Sequence, residues 1–312
     1  MFITLKEAAE KIRAANKILI TAHVNPDGDA IGSTLATMQM IRSIGKSAQV
    51  FIDDSIRKNF HVLPHVEEIR RPADSEKFNA DLLLILDTSP DRIGNVRKLT
   101  DAPILNIDHH VTNSGKDFDL YLEHEAAATC EIIFKLANEL NVEFTPDIAT
   151  CLYTGLATDT GFFQFSNTRA ETLDAASKLI ACGVSPNFIS EKMESKTLSE
   201  VLGLRAALNS LKMFYDNKVA GMFIDYETAK TFDSTEGFID EIRVIDTVDV
   251  AFLIIENVPE ICRVRMRSKG VDISKIANKL GGGGHIRAAG CTLKTTLADA
   301  EKILVEAIGA AI

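Results

Sequence analysis

Short apolar segments alternate with helical stretches through the first half of this 312-residue chain. The apolar segments have the pattern of buried strands and cover residues 17–22, 48–52, 81–86 and 103–107. The helical stretches cover about 30–44, 126–140, 146–158 and 169–182. Strands separated by helices form parallel sheets that are covered on both faces. We therefore predict an α/β fold whose N-terminal sheet is mostly parallel, with helices on both faces.

The pattern changes at Pro186. Residues 186–213 are charged and helical in pattern, so we predict a helical connection between domains; an extra helix of the first domain is the alternative. Beyond residue 214 the alternation returns, with strands predicted at 218–224, 250–256 and 261–268 and helices at 271–279 and 297–307. The predicted domains are therefore an N-terminal domain over 1–185 and a smaller C-terminal α/β domain over 214–312.

The charge of the chain limits what it can bind. The formal net charge is −10, whereas proteins that hold long nucleic acids need a basic surface to displace counterions from many phosphates. We therefore expect no long duplex nucleic acid as a partner. A short anionic ligand remains compatible with the sequence if positive charge is concentrated locally.

The sequence indicates neither a membrane protein nor a secreted one. No apolar run approaches the roughly 20 residues that span a bilayer. Residues 1–17 are amphipathic and charged, unlike a signal peptide. The five cysteines include no CxxC pair, which argues against a disulfide framework and a zinc–thiolate site. We expect a cytoplasmic protein without a membrane partner.

Histidine and aspartate side chains are concentrated at the ends of predicted strands. Two dense clusters follow strands: His23, Asp27 and Asp29 after the first, and Asp108, His109 and His110 after 103–107. Asp87 ends the strand 81–86, and Asp159 lies near the end of a helix. The carboxyl ends of parallel strands share one edge, where open α/β sheets bind ligands. We therefore expect these side chains to meet.

Such a meeting of carboxylates favours a metal site. Carboxylates packed together without metal would repel one another and raise their pKa values, whereas two divalent cations would cancel the charge. Imidazole with carboxylate suits manganese or a similar first-row ion better than structural zinc. Taken singly, each motif has another explanation: a turn, a helix cap, a solvated carboxylate or a surface accident. Their common position favours two divalent ions, with Mn²⁺ expected.

The predicted strand 261–268 supplies the local positive charge. Arg263, Arg265 and Arg267 alternate with apolar residues, so a period of two places all three guanidinium groups on one face. Arginine suits bidentate contact with phosphate. A solvent-facing edge strand is the alternative interpretation.

A glycine run lies further along the same domain. Residues 281–284 are all glycine, so the backbone there can approach a ligand closely and its amides can cradle an anion. A flexible loop is the alternative. Arg92, which follows the Asp87 strand, could also reach a phosphate, although a surface salt bridge is equally consistent with its position.

These motifs carry a family resemblance. The segments HVNPDGDAIGS, ILDTS, IDHH and TGLATDTGFF resemble motifs of the DHH phosphoesterase superfamily, which is named for its Asp-His-His triplet. The segments RVRMRSKGVDIS and GGGGHIRAAG resemble the DHH-associated C-terminal domain. The resemblance covers the whole chain and is greatest to bacterial nanoRNase and pAp phosphatase proteins.

The resemblance implies roles for individual residues. One metal ion would be held by His23, Asp27 and Asp87, and the other by Asp29, Asp87, His109 and Asp159. Asp87 would thus bridge the ions, while the candidate catalytic residues are Asp108, which would orient an imidazole, and His110, which would face the phosphate or leaving group. Substrate contacts are implied for Arg267, Ser268, Gly282, Gly283, Gly284 and His285, beside the candidates Arg92 and Arg263.

We therefore expect a two-metal phosphoesterase that hydrolyses short oligonucleotides, 3′-phosphoadenosine 5′-phosphate (pAp), or both. A cyclic dinucleotide phosphodiesterase would use the same core. A nucleotide-binding regulator without turnover is the alternative from another class, although the intact ligand motifs count against it. The C-terminal domain would hold the nucleotide, and a homodimer is considered as the assembly.

Overall fold

A computed structural model describes residues 1–115, 117–232, 234–235 and 237–312, without the side chain of His285. The chain divides into two compact units, Met1–Ser195 and Lys196–Ile312. The division falls inside the segment 186–213. The helix Pro186–Glu194 precedes this division and belongs to the first unit, and the helix Leu198–Asn209 follows it and belongs to the second.

A parallel sheet forms the centre of the first unit. Its strands are β1 (Lys17–Thr21), β2 (Ser47–Val50), β3 (Leu82–Leu86), β4 (Ile104–Asp108) and β5 (Asp119–Leu122), in the order β2-β1-β3-β4-β5. Every pair of neighbours is parallel, so the carboxyl ends of the strands meet at one edge. The predicted fold class is confirmed, although β5 was not among the predicted strands.

Helices cover the two faces of this sheet in different ways. The α-helices are α1 (Leu5–Ala14), α2 (Gly28–Ser43), α3 (Thr129–Leu140), α4 (Pro146–Asp159), α5 (Ala170–Ala181) and α6 (Pro186–Glu194). Side chains from all of them join the core on one face. On the other face a smaller core is closed by the connection between β3 and β4, which contains short 3-10 helices at Pro90–Arg92 and Gly94–Lys98. Two further 3-10 helices are Lys58–Val62 and Val66–Glu68.

Helices α2 and α4 approach closely because glycine lies at their contact. A Cβ on Gly32 would stand 2.4 Å from the carbonyl oxygen of Cys151. A Cβ on Gly155 would stand 2.2 Å from Sγ of Cys130 and 2.8 Å from Oδ1 of Asp29. Only glycine fits at these distances. The acidic first turn of α2 therefore lies directly against α4.

The second unit is the smaller α/β domain that the sequence predicts. Its strands are β6 (Lys212–Phe214), β7 (Val219–Ile224), β8 (Val250–Val258), β9 (Ile261–Ser268), β10 (Gly283–His285) and β11 (Ala288–Leu293), in the order β10-β11-β9-β8-β7-β6. Only β7 and β8 pair in parallel among these described strands. The helices are α7 (Leu198–Asn209), α8 (Tyr226–Ala229), α9 (Phe238–Arg243), α10 (Ile273–Lys279) and α11 (Leu297–Gly309).

Two cores cover the faces of the second sheet. Side chains of α10 and α11 pack on one face, and those of α7 and α9 pack on the other. Across the described part of the chain, every helix is too short or too polar to cross a bilayer.

The close contact of α2 and α4 makes a stability prediction. Gly32→Ala should lower the free energy of unfolding of the first unit by about 1–3 kcal/mol, because a methyl group would overlap the backbone of α4. Gly270→Ala is the control, since a methyl group added at Gly270 would meet nothing within 4 Å. Urea unfolding would measure both variants, and equal stability of the two would contradict the packing described here.

Candidate metal centre

The carboxyl edge of the first sheet gathers the predicted metal ligands. Strands β1, β3 and β4 end just before His23, Asp87 and His109, respectively. Helices bring the remaining carboxylates. Asp27 caps the N-terminus of α2, Asp29 lies in its first turn, and Asp159 is the last residue of α4.

Among the side chains at this edge of the sheet, three groups bring possible ligand atoms within 4.8 Å of one another. The groups are His23 with Asp27 and Asp87, Asp29 with His109 and Asp159, and Asp87 with His109 and His110. Asp87 and His109 each belong to two groups. The groups therefore form one continuous cluster rather than separate sites.

Asp87 lies at the centre of this cluster. Its Oδ2 is 3.6 Å from Nε2 of His23, and its Oδ1 is 3.5 Å from Nε2 of His109. The hydroxyl of Thr129 donates to Oδ1 at 3.1 Å. The backbone of Asp87 is left-handed, with φ of 60°, a conformation that aspartate adopts more readily than most residues. The two carboxylate oxygens thus face two different histidines, which suits a bridging ligand.

Asp29 is held by the N-terminus of a neighbouring helix. The backbone amides of Thr129 and Cys130, at the start of α3, donate to its two carboxylate oxygens at 2.6 and 2.8 Å. The positive end of the α3 dipole therefore faces a carboxylate that is only 1% exposed. Gly155 leaves the space for this contact.

Two carboxyl groups of the cluster have pKa values above their usual range. Burial, together with the charge of Asp87, raises the pKa of Asp159 to about 7. Burial and the charges of Asp87 and Asp159 also raise the pKa of Asp29. Two of the carboxyl groups thus resist ionisation in the protein alone, and added positive charge would relieve this cost.

The histidines of the cluster favour their protonated, positively charged forms. Burial disfavours the protonated imidazole of His23, but hydrogen bonds to Asp27 and Asp87 outweigh it and raise the pKa to about 10. Burial is similarly outweighed at His109, where the hydrogen bond to Asp87 and the nearby carboxylates raise the pKa to about 10. In the protein alone, imidazolium therefore supplies part of the positive charge.

The donor set fits divalent metal ions. The cluster offers carboxylate oxygens and imidazole nitrogens from four separate segments. Divalent cations bound there would replace the imidazolium protons and balance the charge of the carboxylates. His23 and His109 direct their Nδ1 atoms to the carbonyl oxygens of Val24 and Ala126. These contacts turn Nε2 of each ring toward Asp87, and backbone carbonyls are common partners of metal-bound histidine.

His110, a member of the cluster, forms a pair with Asp108. Asp108 is fully buried, and its Oδ1 lies 2.8 Å from Nδ1 of His110. The same oxygen accepts the backbone amides of His109 and His110 at 2.8 and 3.1 Å. The hydrogen bond between the two side chains leads the factors that raise the pKa of His110. With Nδ1 bound to Asp108, Nε2 is the atom of His110 that can meet a substrate.

The arginine row of the second unit lies along an open groove. Alternation along β9 is as predicted, since the residues between the arginines are buried. The edge-strand alternative is wrong, because β9 lies between β8 and β11. A groove of about 570 Å³ is lined by Arg263, Arg265 and Arg267 together with the run Gly281–Gly284. Small residues of β11, opposite the arginines, leave this groove open.

The glycine run is partly a strand rather than a flexible loop. Gly283 and Gly284 pair with Gly290 and Ala289 of β11. A Cβ on Gly282 would stand 2.1 Å from the carbonyl oxygen of Gly290, and one on Gly284 would stand 2.5 Å from Cα of Ala289. Gly282 and Gly284 are therefore required by strand packing, whatever ligand the groove binds.

The remaining predicted substrate residues lie in different environments. Ser268 is buried on the opposite face of β9, where its hydroxyl donates to the carbonyl of Val271 at 2.5 Å, so it is not part of the groove lining. Arg92 is exposed beside His23, since its carbonyl accepts the amide of Val24 at 3.0 Å. Its guanidinium forms no ion pair with the described residues. The side chain of His285 lies outside the described part of the structure.

Several contacts within the candidate site were not foreseen from the sequence. Thr129 and Cys130 hold Asp29, but the helix that they begin was predicted to start three residues earlier. Asn113 donates to Oδ2 of Asp108 at 2.7 Å. An asparagine three residues after the Asp-His-His triplet was the available signal for this contact.

Comparison with known proteins places the chain in a family. Residues 17–156 match the DHH family, N-terminal domain, and residues 216–312 match the DHHA1 domain. The chain belongs to the DHH family, and the resemblance inferred from its motifs is confirmed. It is 32% identical to the bifunctional oligoribonuclease and PAP phosphatase NrnA of Thermus thermophilus, over 93% of this chain and 88% of the relative.

Other relatives extend this picture. The NrnA of Bacillus subtilis is 27% identical, with 96% of each chain covered. The cyclic-di-AMP phosphodiesterase PdeA of Listeria monocytogenes is also 27% identical, over 96% of this chain but 48% of that protein. An exopolyphosphatase-related protein from Bacteroides fragilis shares the fold, with a TM-score of 0.91, 24% identity and coverage of 98% and 95%.

The protonated histidines make a prediction about metal binding. Ligation of a metal requires neutral imidazole, so a divalent ion such as Mn²⁺ that binds here should release protons. Its affinity should increase as the pH rises toward the pKa values of about 10 of His23 and His109. Deprotonation of Asp159 adds to this effect in the same direction. Calorimetry in buffers with different ionisation enthalpies would measure the proton release.

Two histidine variants sharpen this test. His109→Asn should release fewer protons on binding Mn²⁺, whereas His124→Asn should match the wild type, because His124 is 60% exposed and outside the cluster. An affinity for Mn²⁺ that does not change with pH would show that these histidines are not ligands.

Proposed function

We propose that this protein is a two-metal phosphoesterase that hydrolyses short oligoribonucleotides and pAp, with Mn²⁺ as its metal. The observation that carries the proposal is the position of Asp87, whose two carboxylate oxygens lie within 3.6 Å of histidines from two different segments. The kinship with NrnA proteins, which are named as oligoribonucleases and PAP phosphatases, supports the choice of substrates.

The proposed ligands divide into two sets that share Asp87. His23 and Asp27 would hold one ion with it, and Asp29, His109 and Asp159 would hold the other. Such a pair of ions supplies activation of water for attack on phosphorus and neutralises charge on the phosphoryl oxygens. The oxygen and imidazole donors support manganese among the first-row ions.

The side chains beside the ions would handle the leaving group. We propose that Nε2 of His110 donates a proton, or a hydrogen bond, to the oxygen that leaves phosphorus. Asp108 would hold the imidazole in position through its hydrogen bond to Nδ1. The His110 ring would then be fixed in one orientation, with Nε2 toward the substrate. Asp108 is fully buried and would not itself contact the substrate.

The second unit would bind the substrate phosphates. Arg263 and Arg267 line a groove, and their guanidinium groups suit contact with anions. This positive charge is local, because the chain as a whole has a net charge of −10. Localised positive charge of this kind favours short nucleotides over long nucleic acid. The role of Ser268 would be structural, since its hydroxyl is bonded to Val271.

The cyclic dinucleotide alternative has weaker support. The chain is 27% identical to PdeA and spans 48% of it, whereas the NrnA of Thermus thermophilus is 32% identical over most of both chains. We therefore place linear dinucleotides and pAp ahead of cyclic dinucleotides as substrates.

A substrate panel tests the proposal. With Mn²⁺, the purified protein should hydrolyse a linear diribonucleotide and pAp faster than a cyclic dinucleotide. Asp87→Asn should lower kcat on the order of 10³-fold, because the shared ligand loses its charge while asparagine still tolerates the left-handed backbone. Activity without added divalent metal, or full activity in Asp87→Asn, would refute the two-metal mechanism.

The groove has its own test. Arg267→Ala should raise KM for the dinucleotide about tenfold or more, since a charge-assisted hydrogen bond contributes about 1.5–3 kcal/mol. Arg205→Ala is the matched control, because Arg205 is an exposed arginine on α7 of the same unit. Equal KM values for the two variants would exclude Arg267 from substrate binding.

A further inference from the structure

Two buried asparagines connect the metal cluster with the Asp108–His110 pair. Asn106 lies on β4 and is fully buried, and Asn113 is 5% exposed in the loop that follows the triplet. The mechanism above uses neither residue. Buried amides of this kind stay in a protein only when their hydrogen bonds are satisfied, so their partners are informative.

Asn106 clamps the turn that carries Asp87. Its Nδ2 donates to the carbonyl oxygens of Ile85 and Thr88, both at 2.9 Å. These carbonyls flank Asp87, whose backbone is left-handed. A single amide group therefore holds both sides of an unusual turn in the backbone.

Asn113 continues the chain of hydrogen bonds. Its Nδ2 donates to Oδ1 of Asn106 and to Oδ2 of Asp108, both at 2.7 Å. The other oxygen of Asp108 meets Nδ1 of His110 at 2.8 Å. One unbroken network thus runs from the Asp87 turn to the imidazole that faces the substrate.

Donor and acceptor chemistry fixes the direction of this network. Carbonyl oxygens can only accept, so Asn106 must turn its amino group to Ile85 and Thr88 and its oxygen to Asn113. Asn113 must then offer its amino group to that oxygen and to the Asp108 carboxylate. Neither amide can flip without placing two acceptors in contact, which makes the network rigid.

We propose that Asn106 and Asn113 are positioning residues that lock the Asp87 turn and the Asp108–His110 pair into one geometry. Asn106 acts on metal binding through Asp87, and Asn113 acts on the chemical step through Asp108 and His110. The inference rests on the proposed function only where it assigns His110 to the substrate.

The two asparagines can be tested separately. Asn106→Ala should weaken Mn²⁺ binding about 10- to 100-fold in calorimetry, the usual effect of removing a partner behind a metal ligand. Asn113→Ala should lower kcat for the dinucleotide about tenfold with KM nearly unchanged, because His110 loses orientation while the phosphate contacts remain. Unchanged Mn²⁺ affinity in Asn106→Ala, or unchanged kcat in Asn113→Ala, would overturn the proposal.

A double variant tests whether the residues act through each other. At one fixed Mn²⁺ concentration below saturation, both single variants should lower the rate of dinucleotide hydrolysis. In a single network the second substitution removes little more, so the double variant should lose about as much of this rate as the less active of the two single variants. A loss equal to the product of the single losses would show two independent effects and overturn the coupling.

Leu105→Val is the control for general destabilisation. Leu105 precedes Asn106 on β4, and its side chain packs in the core on the other face of the sheet. This variant should melt at a lower temperature yet keep the Mn²⁺ affinity and kcat of the wild type. If Leu105→Val loses as much Mn²⁺ affinity and kcat as the asparagine variants, the network contributes only to the stability of the fold.

The outcomes also separate this inference from the proposed function. A wild-type protein that hydrolyses none of the nucleotides would refute the proposed function, while the Mn²⁺ affinity of Asn106→Ala would still decide the positioning role. If Asn106→Ala does not fold, Asn113→Ala decides instead, since Asn113 lies in a loop and not on a central strand of the sheet.

Discussion

The structure of the first unit depends on concentrating negative charge where water is largely excluded. Asp29 and Asp87 are 1% and 2% exposed and lie in one cluster with Asp159. Carboxylates in such a place are costly unless positive charge accompanies them. The protein alone meets this need in part with protonated His23 and His109. Divalent ions would neutralise these carboxylates more fully than the protons do. Ions bound in this way would also supply the chemistry of phosphoester hydrolysis.

The fold supplies the cluster from both strands and helices. Parallel strands bring His23, Asp87 and the Asp-His-His triplet to one edge, as open α/β sheets do with their ligands. Helix α3 points its N-terminal amides at Asp29, and Gly155 on α4 leaves room for that carboxylate. The buried Asn106 and Asn113 then connect the ends of β3 and β4 through hydrogen bonds. Packing, capping and chemistry thus constrain the same few residues.

The sequence predicted that the histidines and aspartates at the strand ends would meet, because hydrophobic periodicity locates strands and parallel order fixes their shared edge. Asp87, after the fully buried β3, shows this most clearly. Contacts made by the backbone could not be predicted in this way. The amides of Thr129 and Cys130 hold Asp29 only because α3 begins where it does, and a boundary three residues off hides them. Gly282 looked like a ligand cradle, but its role in strand packing depends on the tertiary position of β11.

The central claim is that this cluster is a dinuclear metal centre. Crystals grown with Mn²⁺ and measured at the manganese absorption edge test it most directly. We expect two anomalous peaks, one on each side of the Asp87 carboxylate, with His23 beside one and His109 beside the other. Diffraction that shows no manganese at Asp87, in crystals whose solution contains saturating Mn²⁺, would contradict it.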